Sequence, residues 1–169
     1  DLSYIRAEAD SMALEIRFHK KKIHQSYLNQ NDLTNQIFTS IEHSRIEARG
    51  SEIFKGIRNN ILKKHYTDLI TLGFEKKENN KENDNKEIIN AFRYVSYAEL
   101  TNNKLEGKFK NYKKIIKNKL GKNFDKFFSK LKNNISDQKN FAEELKLLLD
   151  EIGLYKNGLN DDQKDSLDH

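Results

Sequence analysis

The sequence predicts an all-α protein, a helical bundle of about six to seven helices with one disordered internal loop. Three observations carry that expectation. Apolar residues recur at the three-to-four-residue spacing of one helical face in nearly every segment that has them. No stretch alternates apolar and polar residues between turn residues, as a half-buried strand would. Pro is absent, and the seven Gly residues are scattered as helix stops. With 169 residues, 36% of them hydrophobic, the chain can supply one core of modest size.

The elements follow in order. Ile5, Ala9, Met12, Ala13 and Ile16 mark the apolar face of a helix over residues 3–20. A polar stretch from Lys20 to Asp32 interrupts it. Leu33, Ile37, Ile41 and Ala48 restart the rhythm, with Asp32 as the expected N-cap and Gly50 as the stop. Ile53, Ile57, Ile61, Leu62, Leu69 and Ile70 mark a third helix ending near Gly73. The string EKKENNKENDNK, residues 75–86, has no apolar residue to bury and reads as the disordered loop. Ile88, Ile89, Phe92 and Val95 then begin a helix that weakens toward Leu105 and stops near Gly107. Two short helices are expected over Phe109–Leu120 and Asn123–Asn133, parted at Gly121. In the last helix Phe141, Leu145, Leu148, Leu149 and Ile152 form one stripe, with Ser136 or Asp137 as cap and Gly153 as stop. Residues 1–153 thus read as one helical domain, and residues 154–169, with Asp161, Asp162, Asp165 and Asp168, as the start of an acidic linker. The chain begins at Asp1 without an initiator Met, so it is expected to be a fragment of a longer protein.

Composition excludes several function classes. Without Cys there is no disulfide framework, thiolate metal site or thiol redox chemistry, in keeping with a cytoplasmic protein. The longest apolar runs, such as Leu147–Leu149, fall far short of the about 20 residues that span a bilayer, so no membrane role is expected. A net charge of +5 invites a nucleic-acid reading. Only six of the 31 basic residues are Arg, however, and Lys113, Lys114, Lys117 and Lys119 alternate with apolar positions as on the wet side of an amphipathic helix. Lys, Asn and Ile are abundant while Ala and Gly are scarce, a bias that an AT-rich genome imposes on any protein. No nucleic-acid partner is therefore expected.

Catalytic motifs are also missing. The glycines do not cluster into a phosphate-binding loop. His19 and His24 stand five apart, while His43 and His65 are isolated, so none has helical metal-ligand spacing and each reads as a helix-end or surface residue. The terminal DSLDH resembles a metal-adhesion string but follows no strand, and no G-x-S-x-G nucleophile motif occurs. Paired carboxylates are ordinary helix neighbours such as Glu143 and Glu144.

One constellation stands out, in IFTSIEHSRIEARG, where Glu42, Arg45 and Arg49 share a stripe. Arg45 borders the apolar face, and a partly buried guanidinium needs a carboxylate. Asp10, between Ala9 and Met12 on the first helix, is the expected partner, giving an internal ion pair; the alternative is a charged groove for another protein.

ADSMALEIRFHKKKIH, residues Ala9–His24, and IFTSIEHSRIEARG, residues Ile37–Gly50, resemble the N-terminal region of the cobaltochelatase CobT subunit, in which A-D-S-x-A-L precedes E-x-x-R-x-E-A-x-G. Residues Asn123–Leu154 resemble the family segment in which D-Q-x-x-F-A leads into a Leu-rich helix. The resemblance implies a place in the ATP-dependent chelatase that inserts cobalt into hydrogenobyrinic acid a,c-diamide during cobalamin biosynthesis, a ligase forming a nitrogen–metal bond. It implies assembly with the AAA+ ATPase subunit CobS and the large corrin-binding subunit CobN, in an oligomeric ring complex. It also implies that a von Willebrand factor A domain with a metal-adhesion site follows the acidic linker. No catalytic residue of the family maps onto this chain, so it is expected to act as a non-catalytic assembly module, with ATP, Mg²⁺ and cobalt handled by the complex. Asp10, Arg17, Glu42, Arg45 and Glu47 are the polar positions that match, as structural or partner-interface candidates. A helical adaptor of another AAA+ ATPase acting on a different metalloenzyme, or a basic helical nucleic-acid-binding protein, are the alternatives.

Overall fold

The computed structural model describes residues 2–73, 81–107 and 109–155, and over these residues the backbone forms eight α-helices and one 3-10 turn, with no strand. The helices are α1 (Leu2–Phe18), α2 (Lys21–Tyr27), α3 (Asp32–Ile53), α4 (Lys55–Gly73), α5 (Lys81–Thr101), α6 (Phe109–Leu120), α7 (Phe124–Asn133) and α8 (Gln138–Glu151). The two-turn α2 occupies the polar stretch in which the sequence shows no rhythm; it is too short to declare an apolar face, and only Tyr27 is buried.

α3 is the axis of the fold. Asn31 caps it, its side chain accepting from the Thr34 N–H, while Asp32 is already helical. The helix runs three residues past Gly50, and residues on every side of it are buried: Ile37, Phe38 and Ile41, then Glu42, Arg45, Glu47 and Ala48. α5 runs alongside in the same direction, joined by Ser44 Oγ to the Arg93 carbonyl and by the Ser51–Tyr97 hydroxyl pair. α1 and α4 lie antiparallel, linked by Tyr4 to Asp68, Lys64 to Glu8 and Asn60 to Asp10. α6, α7 and α8 close the other side, where Phe92, Ile116, Phe127, Phe141 and Leu145 complete one continuous core. A smaller cluster of Leu69, Tyr94 and Phe109 seals the end where α4, α5 and α6 meet.

Two expectations need correction. The apolar stripe of α1 faces solvent: Ile5, Met12 and Ile16 are 62%, 64% and 84% exposed, and the buried residues are Ala7 and Leu14. Periodicity locates the helix, but a large apolar face does not point inward when a neighbouring helix accepts a different one. Gly50 is not a stop. A methyl at its Cα would lie 2.4 Å from Leu14 Cδ1, so glycine here lets α1 approach α3 closely. The loop expected over residues 75–86 lies outside the described residues as far as residue 80, and from Lys81 the backbone is already helical.

The remaining boundaries stand close to expectation. Asn102 and Gly107 adopt positive φ after α5, Gly121 between α6 and α7, and Gly153 after α8, where Asp137 caps the start by accepting from the Asn140 N–H. Packing continues past Gly153. Leu154 offers its carbonyl to Thr34 Oγ1, and the buried Tyr155 donates to the Tyr27 carbonyl, so the packed unit includes the first two residues of the expected linker. Residues 156–169 lie outside the described residues.

The contact between Leu14 and Gly50 yields an expected sign reversal. Gly50→Ala gains about 1 kcal/mol of helix propensity but forces about 1–3 kcal/mol of overpacking, a net loss in the parent protein. In a Leu14→Ala background the space is open, and Gly50→Ala is expected to stabilise. Urea denaturation of the four proteins measures it; the same sign in both backgrounds would contradict the contact.

Candidate functional site

Charged side chains enter the core only when fully paired, and α3 carries three of them: Glu42, Arg45 and Glu47 are each at most 3% exposed. They divide into two clusters on different sides of the helix.

In the first cluster, Arg45 Nε donates to both oxygens of Glu42, at 2.6 and 3.0 Å. Its Nη2 donates to the Phe18 carbonyl at 2.7 Å and its Nη1 to the Ile135 carbonyl at 3.1 Å. Phe18 is the last residue of α1, where the helix leaves carbonyls without internal donors and concentrates negative partial charge. Ile135 lies in the turn between α7 and α8. One guanidinium thus ties α1, α3 and that turn together, with its Cζ 5.9 Å from the centre of the Phe141 ring. His19 Nδ1 stands 3.7 Å from Glu42 Oε1.

In the second cluster, Glu47 receives hydrogen bonds from Arg93 on α5 and from His65 Nε2 on α4, the latter at 3.2 Å. Burial alone would raise the Glu47 carboxyl, but the Arg93 guanidinium, with His65, outweighs it and holds the group well below the usual carboxylate range. Burial lowers His65, Glu47 only partly opposing this, so the ring is a neutral donor at pH 7. Tyr94 and Tyr97 present their rings to it at 5.2 and 4.8 Å between centroids.

The expected Asp10–Arg45 pair does not form. Asp10 accepts from Asn60 Nδ2 at 3.0 Å, because the side of α1 that carries it meets α4. Arg45 has no unfilled need for a distant carboxylate, since Glu42, the carbonyl at the end of α1 and the carbonyl of Ile135 in the α7–α8 turn surround it. The internal lock between the first helix and α3 exists, but it is made through a backbone carbonyl of α1. Arg17 lies apart from both clusters, exposed, with its Cζ 5.2 Å from the Phe54 ring centre and 5.4 Å from that of Phe18.

Two features escaped the sequence. His65 is 4% exposed, not a surface residue. His19, His24 and His43 come together with Glu42 and Thr39 around a cleft of about 270 Å³, because α2 folds back against α3. His24 Nε2 is 3.0 Å from Thr39 Oγ1, and its ring is 5.1 Å from that of His19. Burial, and then His19, lowers His24, which keeps it neutral at pH 7. Such a cleft offers polar atoms on an apolar floor to a side chain or small polar group. Among the described residues no group of three or more His, Asp or Glu side chains is placed to hold a metal ion. No helix among those residues is long and apolar enough to cross a membrane.

The D-Q-x-x-F-A segment also acquires physical content. Asp137 caps α8, the Gln138 amide accepts from the Lys20 N–H and donates to the Lys20 carbonyl, Phe141 lies against Arg45, and Ala142 is buried. The family model described as cobalamin biosynthesis protein CobT matches residues 1–169, the whole chain. No curated protein and no solved structure matches it.

Proposed function

The chain belongs to the CobT family of cobalamin biosynthesis proteins, and on that premise we propose that it is a non-catalytic assembly module of the ATP-dependent cobaltochelatase that inserts cobalt into hydrogenobyrinic acid a,c-diamide. Its partners in this reading are the AAA+ ATPase subunit CobS and the large corrin-binding subunit CobN, in an oligomeric ring in the cytoplasm. ATP, Mg²⁺ and cobalt are handled by those subunits and by other parts of the complex.

The observation that carries the proposal is the family match over the entire chain. The geometry adds support in one respect. Glu42, Arg45 and Glu47 have their hydrogen bonds filled by the protein itself, so these family-like residues serve to hold a fixed shape. A scaffold needs a fixed shape more than it needs reactive groups.

The test is co-purification of the tagged full-length protein with the ATPase subunit, with and without residues 1–155. Loss of the ATPase subunit on deletion is expected. Undiminished complex formation by the deleted protein would overturn the assembly role.

A further inference from the structure

Leu2, Ile5, Ala9, Met12 and Ile16 are spaced alternately by three and four residues, the a and d positions of a heptad. Four of the five are large apolar side chains with 62–84% of their surface in solvent, and Ala9 is exposed too. Ala7 and Leu14, through which α1 enters the core, take the f position, on the opposite side of the helix from this seam. α4 and α3 therefore lie behind α1 and leave the seam clear. A contiguous apolar stripe of this size on a monomer marks an interaction surface.

We propose that α1 pairs in parallel with α1 of a second copy of this chain, with the Leu2–Ile16 seam forming a two-heptad coiled coil. The flanking charges select the occupant and its direction. Glu8 and Glu15 take the g positions, and Arg6 and Ala13 take the e positions. In a parallel pair each g residue meets the e residue of the next heptad across the interface. Glu8 then faces Ala13 of the second copy, and Glu15 faces the exposed Lys20 that follows the helix. An antiparallel pair would gather Glu8 and Glu15 of both copies along one flank, where like charges repel.

Other segments of the chain do not match the seam. Residues 74–80 contain one large apolar residue, Phe74, and residues 156–169 contain only Leu159 and Leu167, with no heptad spacing between them. Four such side chains on each of two copies bury on the order of 1,000 Å² in total, the lower bound for a specific interface. The association is accordingly expected to be reversible and concentration-dependent.

Light scattering of the chain from micromolar to near-millimolar concentration is expected to show the mass rising from one chain toward two. The double substitution Met12→Glu with Ile16→Glu is expected to hold it at one chain with an unchanged helical spectrum and melting curve, since both positions are exposed. The absence of cysteine allows a test of direction. Met12→Cys alone is expected to form disulfide-linked pairs under mild oxidation, whereas a mixture of Ile5→Cys and Met12→Cys proteins is expected to cross-link only like with like. A one-chain mass at every concentration, or preferential cross-linking between the Ile5→Cys and Met12→Cys proteins, would overturn the proposal. The double Glu variant also separates this inference from the assembly role, because a monomer that still co-purifies with the ATPase subunit leaves that role intact.

Discussion

Replacing Arg45 by Ala is expected to destabilise the protein by about 3–5 kcal/mol, the cost of leaving a buried charge without its partner. The substitution orphans the Glu42 carboxylate at 3% exposure, together with the carbonyls of Phe18 and Ile135. For a chain of this size that corresponds to a fall in melting temperature on the order of 10 °C. Arg45→Lys keeps the charge, but a single ammonium cannot serve a carboxylate and two carbonyls in three directions, so an intermediate loss is expected. The informative variant is the pair Glu42→Gln with Arg45→Met, which removes both charges while keeping volume. It is expected to lose markedly less than the sum of the two single substitutions. Additive losses, or an Arg45→Ala protein within about 1 kcal/mol of the parent, would show that the guanidinium is not the tie described.

Glu47→Gln is expected to have the next largest effect, on the order of 3 kcal/mol at neutral pH, and to change the shape of the stability–pH curve. The Glu47 carboxyl is depressed in the folded state, so its contribution is full above the unfolded value of about 4.5 and is lost as pH falls through the lower folded value. His65 is depressed as well. Its unfolded form takes up a proton below about 6.5 while the folded form resists, so stability also declines as pH falls from there. The parent protein should therefore lose stability in two steps on acidification. Glu47→Gln removes the lower step, and the difference between the two proteins should shrink below about pH 4.5. The measurement is urea denaturation across pH, and a constant difference down to pH 3 would exclude an ionised Glu47 in the folded state.

Much of the fold was legible because helical rhythm, caps and stops are local. α6 begins and ends where the spacing predicts, Asp137 caps α8, and the apolar stripe of α8 is buried apart from the half-buried Ile152. What misled was orientation. The largest apolar stripe of α1 points outward because the helix enters the core through the buried Ala7 and Leu14, the latter in a close contact with Gly50 that no single-helix pattern reveals. Arg45 and Glu42 were recognisable as an i, i+3 pair on the border of an apolar face. Their neighbours were not, since Phe18 and Ile135 contribute backbone carbonyls, which every residue has and no sequence motif marks. The histidine cleft was hidden for a related reason: only the reversal of the chain at α2 brings His24 beside His43.

The Gln138 amide joins Lys20 across 118 positions of sequence, and Tyr155 joins Tyr27 across 128. Contacts of such separation must overcome a large loop-closure entropy before they return any stabilisation, and they slow folding relative to a bundle of neighbouring hairpins. They also set an order of events on the ribosome. α1, α2 and α3 emerge first, but Arg45 lacks its Ile135 acceptor, and α2 lacks the amide that fixes its start, until α8 has left the exit tunnel. Until α8 emerges, the nascent segment carries an unclosed, charge-bearing core, and its cooperative collapse waits on that last helix.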